Sequence, residues 1–278
     1  MRHISEFLGL YLQNPKGVVN SNPQISQEEF RAIIQANRPY FPPPIQKPLT
    51  ILQYEKPVFP EKYVNIGMVT FNRLEFTKAA LTALFQHTCF PHVITVVDNG
   101  STDGTPEYLQ SLHQQGFITN LILLPSNVGI AKASNLAWSQ EPEAEYYLKL
   151  DNDIVIQKPG WLSRMVEVID RIPELGAIAY NFERESYPVR EIRGLPVRPK
   201  IGNLNGACTL IPKRTHQSLG FWCEDYGLYG EEDADYGLRI HLHGLQNAYM
   251  EDEKVGLHLP AGRAAHIDAQ SFKATDGI

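Results

Sequence analysis

From Val64 onward the chain alternates between short apolar runs rich in β-branched residues and longer stretches with helical spacing. "VNIGMVTF" (64–71), "HVITVVDN" (92–99), "TNLILLPS" (119–126) and "EYYLKLDN" (145–152) read as strands. Between them, Leu74–His87, Thr105–Gln115 and Ile130–Ser139 read as helices. Strands that alternate with crossover helices predict an α/β fold, a mostly parallel mixed sheet flanked by helices on both faces. In such a sheet, ligands bind beyond the carboxyl ends of the strands. The unusual polar residues collect there: Thr70 and Asn72 after the first strand, Asp98 and Asn99 after the second, Asp151 and Asp153 after the fourth.

The first sixty residues follow another rule. They hold nine of the 20 prolines, which forbid regular helix over most of 39–60 and favour an extended path. Ser26 and Glu29 form a capping box with Ile25 and Phe30 as a hydrophobic staple, so one short helix is expected over 27–36. The chain therefore divides into a Pro-rich extension, residues 1–60, and a main domain, residues 61–278. Tyr40, Phe41, Ile51, Leu52, Tyr54 and Phe59 favour burial, so the extension is expected to wrap the main domain rather than only tether it.

Composition narrows the function. A formal charge of −6 argues against nucleic acid as a partner and against a polybasic membrane patch. An anionic ligand would then need local help, such as a metal. Three cysteines without metal-site spacing make a poor disulfide framework and point to a reducing cytoplasm. No apolar run approaches the ~20 residues of a spanning helix, so contact with a membrane, at its inner face, is at most peripheral.

Side chains alternate along a strand, so Asp151 and Asp153 share a face where "YYLKLDND" runs out. Two hard oxygen donors at that place suit a divalent cation, and such a cation commonly carries a diphosphate. A solvated strand end is the plainer explanation. Neither G-x-G-x-x-G nor a P-loop follows the first two strands, which leaves dinucleotide and P-loop cradles unsupported. Asp98 is placed to accept hydrogen bonds from a ribose or base, although Asp-Asn-Gly-Ser is also a strong turn. Three carboxylates, Glu231, Glu232 and Asp233, with Asp235 beyond them, open an amphipathic segment, where they also suit a helix dipole.

Taken in order, "MVTFNR", "VVDNGSTDGT", "SNVGIAKASNLA", "YYLKLDND", "NGACTLIPKR" and "LYGEEDADYGLRI" resemble the signatures of family 2 glycosyltransferases, most closely the rhamnosyltransferase-like branch. The resemblance runs from about Val64 to His258 and leaves the extension uncovered. It implies a Rossmann-like, A-type nucleotide-sugar transferase fold for residues 61–278. It implies that Thr70 and Asn72 approach the nucleobase and ribose, and that Asp98 and Asn99 hold uracil or thymine and ribose. Asn127, Gly129 and Asn135 match the N-x-G…N pattern of the donor site; capping and packing would also explain the asparagines.

The same resemblance assigns Asp151 and Asp153 to Mn²⁺ or Mg²⁺ and the donor diphosphate, with Asp151 also reaching sugar or ribose. His258 is a third metal ligand, with His266 competing for that place. Asp233, in the Glu232-Asp233 pair, becomes the general base, Glu232 the next candidate, and Asp235 a structural partner of Arg239. The 183–205 segment, with Arg190, Arg193 and Arg198, is either a lid over donor phosphates or a solvated loop. The implied activity is metal-dependent, inverting transfer from a nucleotide-diphosphate sugar, UDP- or dTDP-linked, to a hydroxyl of a carbohydrate, lipid-linked or protein acceptor in polysaccharide or glycoconjugate synthesis. A nucleotidyltransferase shares the architecture but needs a Gly-rich basic turn that "TFNRLEF" lacks. A non-catalytic nucleotide- or carbohydrate-binding module is the other alternative, and retention of both acidic clusters speaks against it.

Overall fold

The computed structural model describes residues 50–53, 62–182, 187–202, 204, 206–251 and 255–259. The expected helix over 27–36, Tyr40, Phe41, Tyr54 and Phe59 of the extension, and His266 lie outside them. In chain order the elements are β1 (Thr50–Gln53), β2 (Val64–Thr70), α1 (Leu74–His87), β3 (His92–Asp98), α2 (Thr105–Gln114), β4 (Asn120–Leu123), α3 (Ile130–Ser139), β5 (Tyr146–Asp151), β6 (Ile154–Ile156), α4 (Trp161–Arg171), β7 (Leu175–Ala179), β8 (Arg190–Ile192), β9 (Leu195–Lys200), β10 (Cys208–Pro212), α5 (Lys213–Leu219), α6 (Glu232–Leu242), β11 (Gln246–Met250) and β12 (Gly256–His258). The three helices expected between the first four strands are present, ending within one residue of the sequence reading.

Ten strands form one sheet in the order β1-β4-β3-β2-β5-β10-β7-β11-β9-β8. The segment β4-β3-β2-β5 is parallel, as is β7 with β11, and the remaining neighbours are antiparallel, giving the mixed sheet expected. From β2 the chain steps outward to β3 and β4, then returns with β5 on the other side of β2. That reversal opens a crevice beyond the carboxyl ends of β2 and β5. Register puts Thr70 beside Asp98, and Val69 beside Asp151, at its rim.

The pleat divides the core between the two faces of the sheet. Ile66, Met68, Ile94, Val96, Leu148 and Leu150 pack with Ala80, Leu81 and Leu84 of α1 and with Met165 and Ile169 of α4. Val97, Ile122, Tyr147 and Ile211 pack with Ala133, Ala137 and Trp138 of α3 and with Tyr236 and Ile240 of α6. Gly67 lets α3 lie close on β2, because a Cβ there would stand 3.2 Å from both Ala137 and Trp138. Asp103 couples two helix starts: one oxygen accepts the Leu74 N–H at 2.9 Å and the other accepts from the Thr105 backbone and hydroxyl. Among the described residues no helix is long and apolar enough to cross a membrane.

Candidate active site

At the ends of β2 and β3 the polar side chains build a floor. Thr70 and Asp98 are buried, and Asp98 Oδ1 accepts from the Thr70 hydroxyl at 2.9 Å and from the Ser101 hydroxyl. Its Oδ2 accepts the Ser101 N–H at 2.9 Å. A carboxylate has about four acceptor positions, so three are filled and one is left for a ligand. The Ser101 hydroxyl also accepts the Asn72 backbone N–H at 2.7 Å, and the Asn72 side-chain Oδ1 accepts the Thr102 N–H at 2.9 Å. Asn72 and Arg73 both adopt the left-handed backbone region, an uncommon pair for residues with a Cβ, and these bonds hold the turn there. The Thr70 hydroxyl is thus spent on Asp98 and lies below the surface of the crevice.

The next layer is set by asparagines. The Asn99 amide donates to Asn127 Oδ1 at 2.9 Å and accepts the Val128 N–H at 2.9 Å, and Asn127 Oδ1 also accepts the Gly129 N–H. Gly129 is the position that admits no side chain: its φ is +95°, and a Cβ would lie 2.5 Å from the Gly227 carbonyl oxygen. Ile130 donates its N–H to the Leu228 carbonyl at 3.1 Å, so the loop preceding α6 rests on this turn. Asn135 is engaged elsewhere. Its side chain binds the Trp222 backbone twice and Glu224 once, all within 2.9 Å, which makes it an anchor for that loop.

Strand β5 ends at Asp151, and Asn152 and Asp153 form the turn into β6. Asn152 turns to Thr77 of α1 at 3.0 Å and is buried. Asp153 Oδ2 accepts from Arg73 at 3.0 Å, while its buried Oδ1 receives no hydrogen bond and has His258 Nε2 3.5 Å away. Burial works against ionisation of Asp153, but His258 and Arg73 outweigh it and hold the carboxyl below its usual range. His258 arrives through the β6–β12 pairing, where it sits opposite Ile154. Asp151, more exposed, accepts from Lys149 Nζ at 3.0 Å. Among the described residues no three His, Cys, Asp or Glu side chains form a group ready to hold a metal. Asp153 and His258 are thus adjacent, while Asp151, Asp153 and His258 are not assembled as one trio, since Lys149 and Arg73 each take a carboxylate oxygen.

On the far wall, α6 begins at Glu232. Glu232 is buried, its Oε2 has no hydrogen-bond partner, and its Oε1 lies 4.0 Å from Lys149 Nζ. Burial pushes the Glu232 carboxyl up, against the pull of Lys149. Asp233 is partly open, accepting the Gly206 N–H at 3.3 Å and the Ala234 N–H at 2.8 Å. Asp235 takes the structural place expected for it: Arg239 binds it at 2.7 Å and donates to the Leu219 and Phe221 carbonyls.

Arg193 pairs with Glu174 at an exposed site and Arg198 donates to the Tyr187 carbonyl. Arg190 lies exposed in β8. Residues 183–186, 203 and 205 of the arginine-bearing segment lie outside the described residues, but much of the remainder is the β8–β9 hairpin rather than an aperiodic loop.

Sequence reasoning passed over Lys149, Gly206 and Arg73. The signal for Lys149 was available: a lone charge inside an apolar strand must be paired if the strand is buried. Burial alone would push its ammonium down, yet Asp151, Glu232 and Asp233 together raise it.

The family model described as Glycosyl transferase family 2 matches residues 65–224. The N-acetylglucosaminyl-diphospho-decaprenol L-rhamnosyltransferase of Mycobacterium tuberculosis is 26% identical over 249 residues, covering 72% of this chain and 79% of that protein. The O-antigen biosynthesis protein RfbC of Myxococcus xanthus is 23% identical over 73% of this chain, which spans 18% of it. Among solved structures, a mannosyltransferase from Pyrobaculum calidifontis in complex with GDP-Man and Mn²⁺ superposes with a TM-score of 0.57 at 17% identity, covering 85% of this chain and 65% of that one. S. aureus TarS 1–349 in complex with UDP-GlcNAc gives 0.58 at 17% identity, covering 76% of this chain and 63% of that one. The chain therefore spans a little under two thirds of these solved chains.

Proposed function

We propose, from the premise that the chain belongs to glycosyl transferase family 2 and is a glycosyltransferase of the A-type fold, that it moves a sugar from a nucleotide-diphosphate donor to an acceptor hydroxyl in one inverting displacement. The observation that carries this reading is the meeting of two acidic clusters some eighty residues apart in sequence: Lys149 Nζ lies 3.0 Å from Asp151 and 4.0 Å from Glu232. Donor-side and acceptor-side chemistry then share one crevice.

In this reading the acceptor oxygen bonds to the anomeric carbon as the bond to the diphosphate breaks, and Asp233 takes the hydroxyl proton. Asp233 suits that task better than Glu232, because it is partly open while Glu232 is buried against Lys149. Asp98, with one acceptor position remaining, hydrogen-bonds the base or ribose of the donor, taken in this reading as UDP- or dTDP-linked, and the turn held by Asn72, Asn99, Asn127 and Gly129 shapes the space around it. A divalent cation fits the donor side: Asp153 Oδ1, which accepts no hydrogen bond, and His258 Nε2 3.5 Å from it are a donor set suited to Mn²⁺, and Asp151 is the further ligand this reading assigns. Bound there, Mn²⁺ or Mg²⁺ supplies positive charge for the departing diphosphate. The named rhamnosyltransferase relative favours a lipid-linked or carbohydrate acceptor, met in this reading at the cytoplasmic face of a membrane.

Purified protein offered a panel of nucleotide sugars is expected to release nucleoside diphosphate with a UDP or dTDP donor. Chelator, Asp151→Asn and Asp153→Asn should each abolish that release. Full activity in excess chelator removes the metal from the reading. Release of pyrophosphate from a nucleoside triphosphate and a sugar phosphate would mark a nucleotidyltransferase instead, and nucleotide binding without turnover would mark a binding module.

A further inference from the structure

Lys149 lies beneath the crevice rather than in it. Its side chain is 6% exposed, and its Nζ donates to Asp151 Oδ1 and to the Gly206 carbonyl, both at 3.0 Å, with Glu232 Oε1 at 4.0 Å. Two of the three ammonium donors are used in these hydrogen bonds, and Glu232 adds an ion-pair contact at 4.0 Å. Gly206 continues the connection, since its N–H donates to Asp233 Oδ2 at 3.3 Å. A Cβ on Gly206 would stand 3.0 Å from Lys149 Nζ and 3.3 Å from Asp233 Cβ, tighter than ordinary contact, so the ammonium and Asp233 would have to give by a few tenths of an ångström.

We propose that Lys149 and Gly206 are positioning residues for Asp233, a reading that rests on Asp233 as the base: the buried ammonium fixes the Gly206 segment against Asp151, and the Gly206 N–H sets the angle of the Asp233 carboxylate. The distance from base to donor pocket is thereby tied to strand β5, which carries both Lys149 and Asp151. Because misplacement by about 1 Å can cost ~10²-fold in rate, neither residue needs to touch substrate to matter.

The test is a cycle of Lys149→Met, Gly206→Ala and Asp233→Asn, with single-turnover transfer and calorimetric donor affinity measured on each folded variant. Gly206→Ala should lower transfer about 10- to 100-fold while donor affinity changes only a few-fold. Lys149→Met should also lower transfer. In the Asp233→Asn background neither should lower the residual rate further, because the group they position is gone. Unchanged transfer in Gly206→Ala, or losses that multiply fully with Asp233→Asn, overturns the proposal. Near-normal transfer by Asp233→Asn overturns the base assignment instead, a distinct outcome. Should Lys149→Met fail to fold, adding Glu232→Gln removes a carboxylate left without its cation. The double variant, compared with Glu232→Gln alone, then gives the same reading.

Discussion

Glu232 and Asp233 are neighbours with opposite surroundings, and the difference has a measurable sign. Glu232 carries a buried oxygen without a partner, and its carboxyl is raised by burial despite Lys149. A raised folded-state pKa means the fold favours the protonated acid. Its relative stabilisation is full below the ordinary value of 4.5 and is lost as pH rises through the higher folded value. Glu232→Gln, neutral at every pH, should therefore melt above the parent at pH 7, with the gap closing in acid. A variant that melts lower at pH 7 would show that the Lys149 pair outweighs the burial, and a gap that stays constant with pH would show that the carboxyl is not shifted at all. At this scale the carboxylates of both acidic clusters were legible in the sequence, because ionisable residues at strand ends or in runs attract notice. Their partners were not. Lys149 read as part of a strand, Arg73 as part of a turn, and Gly206 as one glycine among 20, since each matters only through a residue far away in sequence.

Elements in the first half of the main domain were legible almost to the residue because each is long enough to show its period: α1, α2 and α3 span ten to fourteen residues between buried strands. The second half was not, because β6, β8 and β12 have three residues each and carry no period. Their partners are also set by tertiary contacts, as in the pairing of His258 with Ile154. One element-level device lies at the Asp-Gly step 103–104, itself a turn sequence. Asp103 proves to cap α1 through Leu74 and α2 through Thr105, fixing the two helices that follow β2 and β3. Partial burial works against its charge, but the Thr105 and Leu74 hydrogen bonds outweigh it and hold the carboxyl below its ordinary 3.8. Loss of a cap costs roughly 0.5–2 kcal/mol. Asp103→Ala should accordingly lower the melting temperature by a few degrees at pH 7. A depressed pKa stabilises above the unfolded value and ceases to do so as pH falls through the folded one, so the parent's advantage should shrink below about pH 4. Equal melting of the two proteins at pH 7 would remove Asp103 from the caps.

Across the whole molecule, the sheet extends beyond the main domain that the sequence delimits. β1 lies within the first sixty residues, yet it pairs antiparallel with β4, from Thr50 opposite Leu123 to Gln53 opposite Asn120. β4 in turn borders β3, whose end carries Asp98 and Asn99 at the crevice. Without β1, β4 becomes an exposed edge with unpaired backbone groups, a template for association. Each ladder hydrogen bond is worth about 0.5–1.5 kcal/mol net, so the strand contributes on the order of a few kcal/mol. Two truncations separate this contribution from anything else residues 1–60 do. A chain starting at residue 50 keeps β1, and one starting at residue 54 removes it alone. The shorter chain should melt several degrees lower than the longer one and should aggregate with rising concentration, while its donor affinity at low temperature stays near that of the longer chain, because Asp98 remains bonded to Thr70 and Ser101. If both truncations melt together and turn over alike, β1 is dispensable and the extension acts only as a tether or partner-binding arm. If both melt well below the full chain, residues before β1 contribute to stability as well, which is what the aromatic residues of the extension lead one to expect.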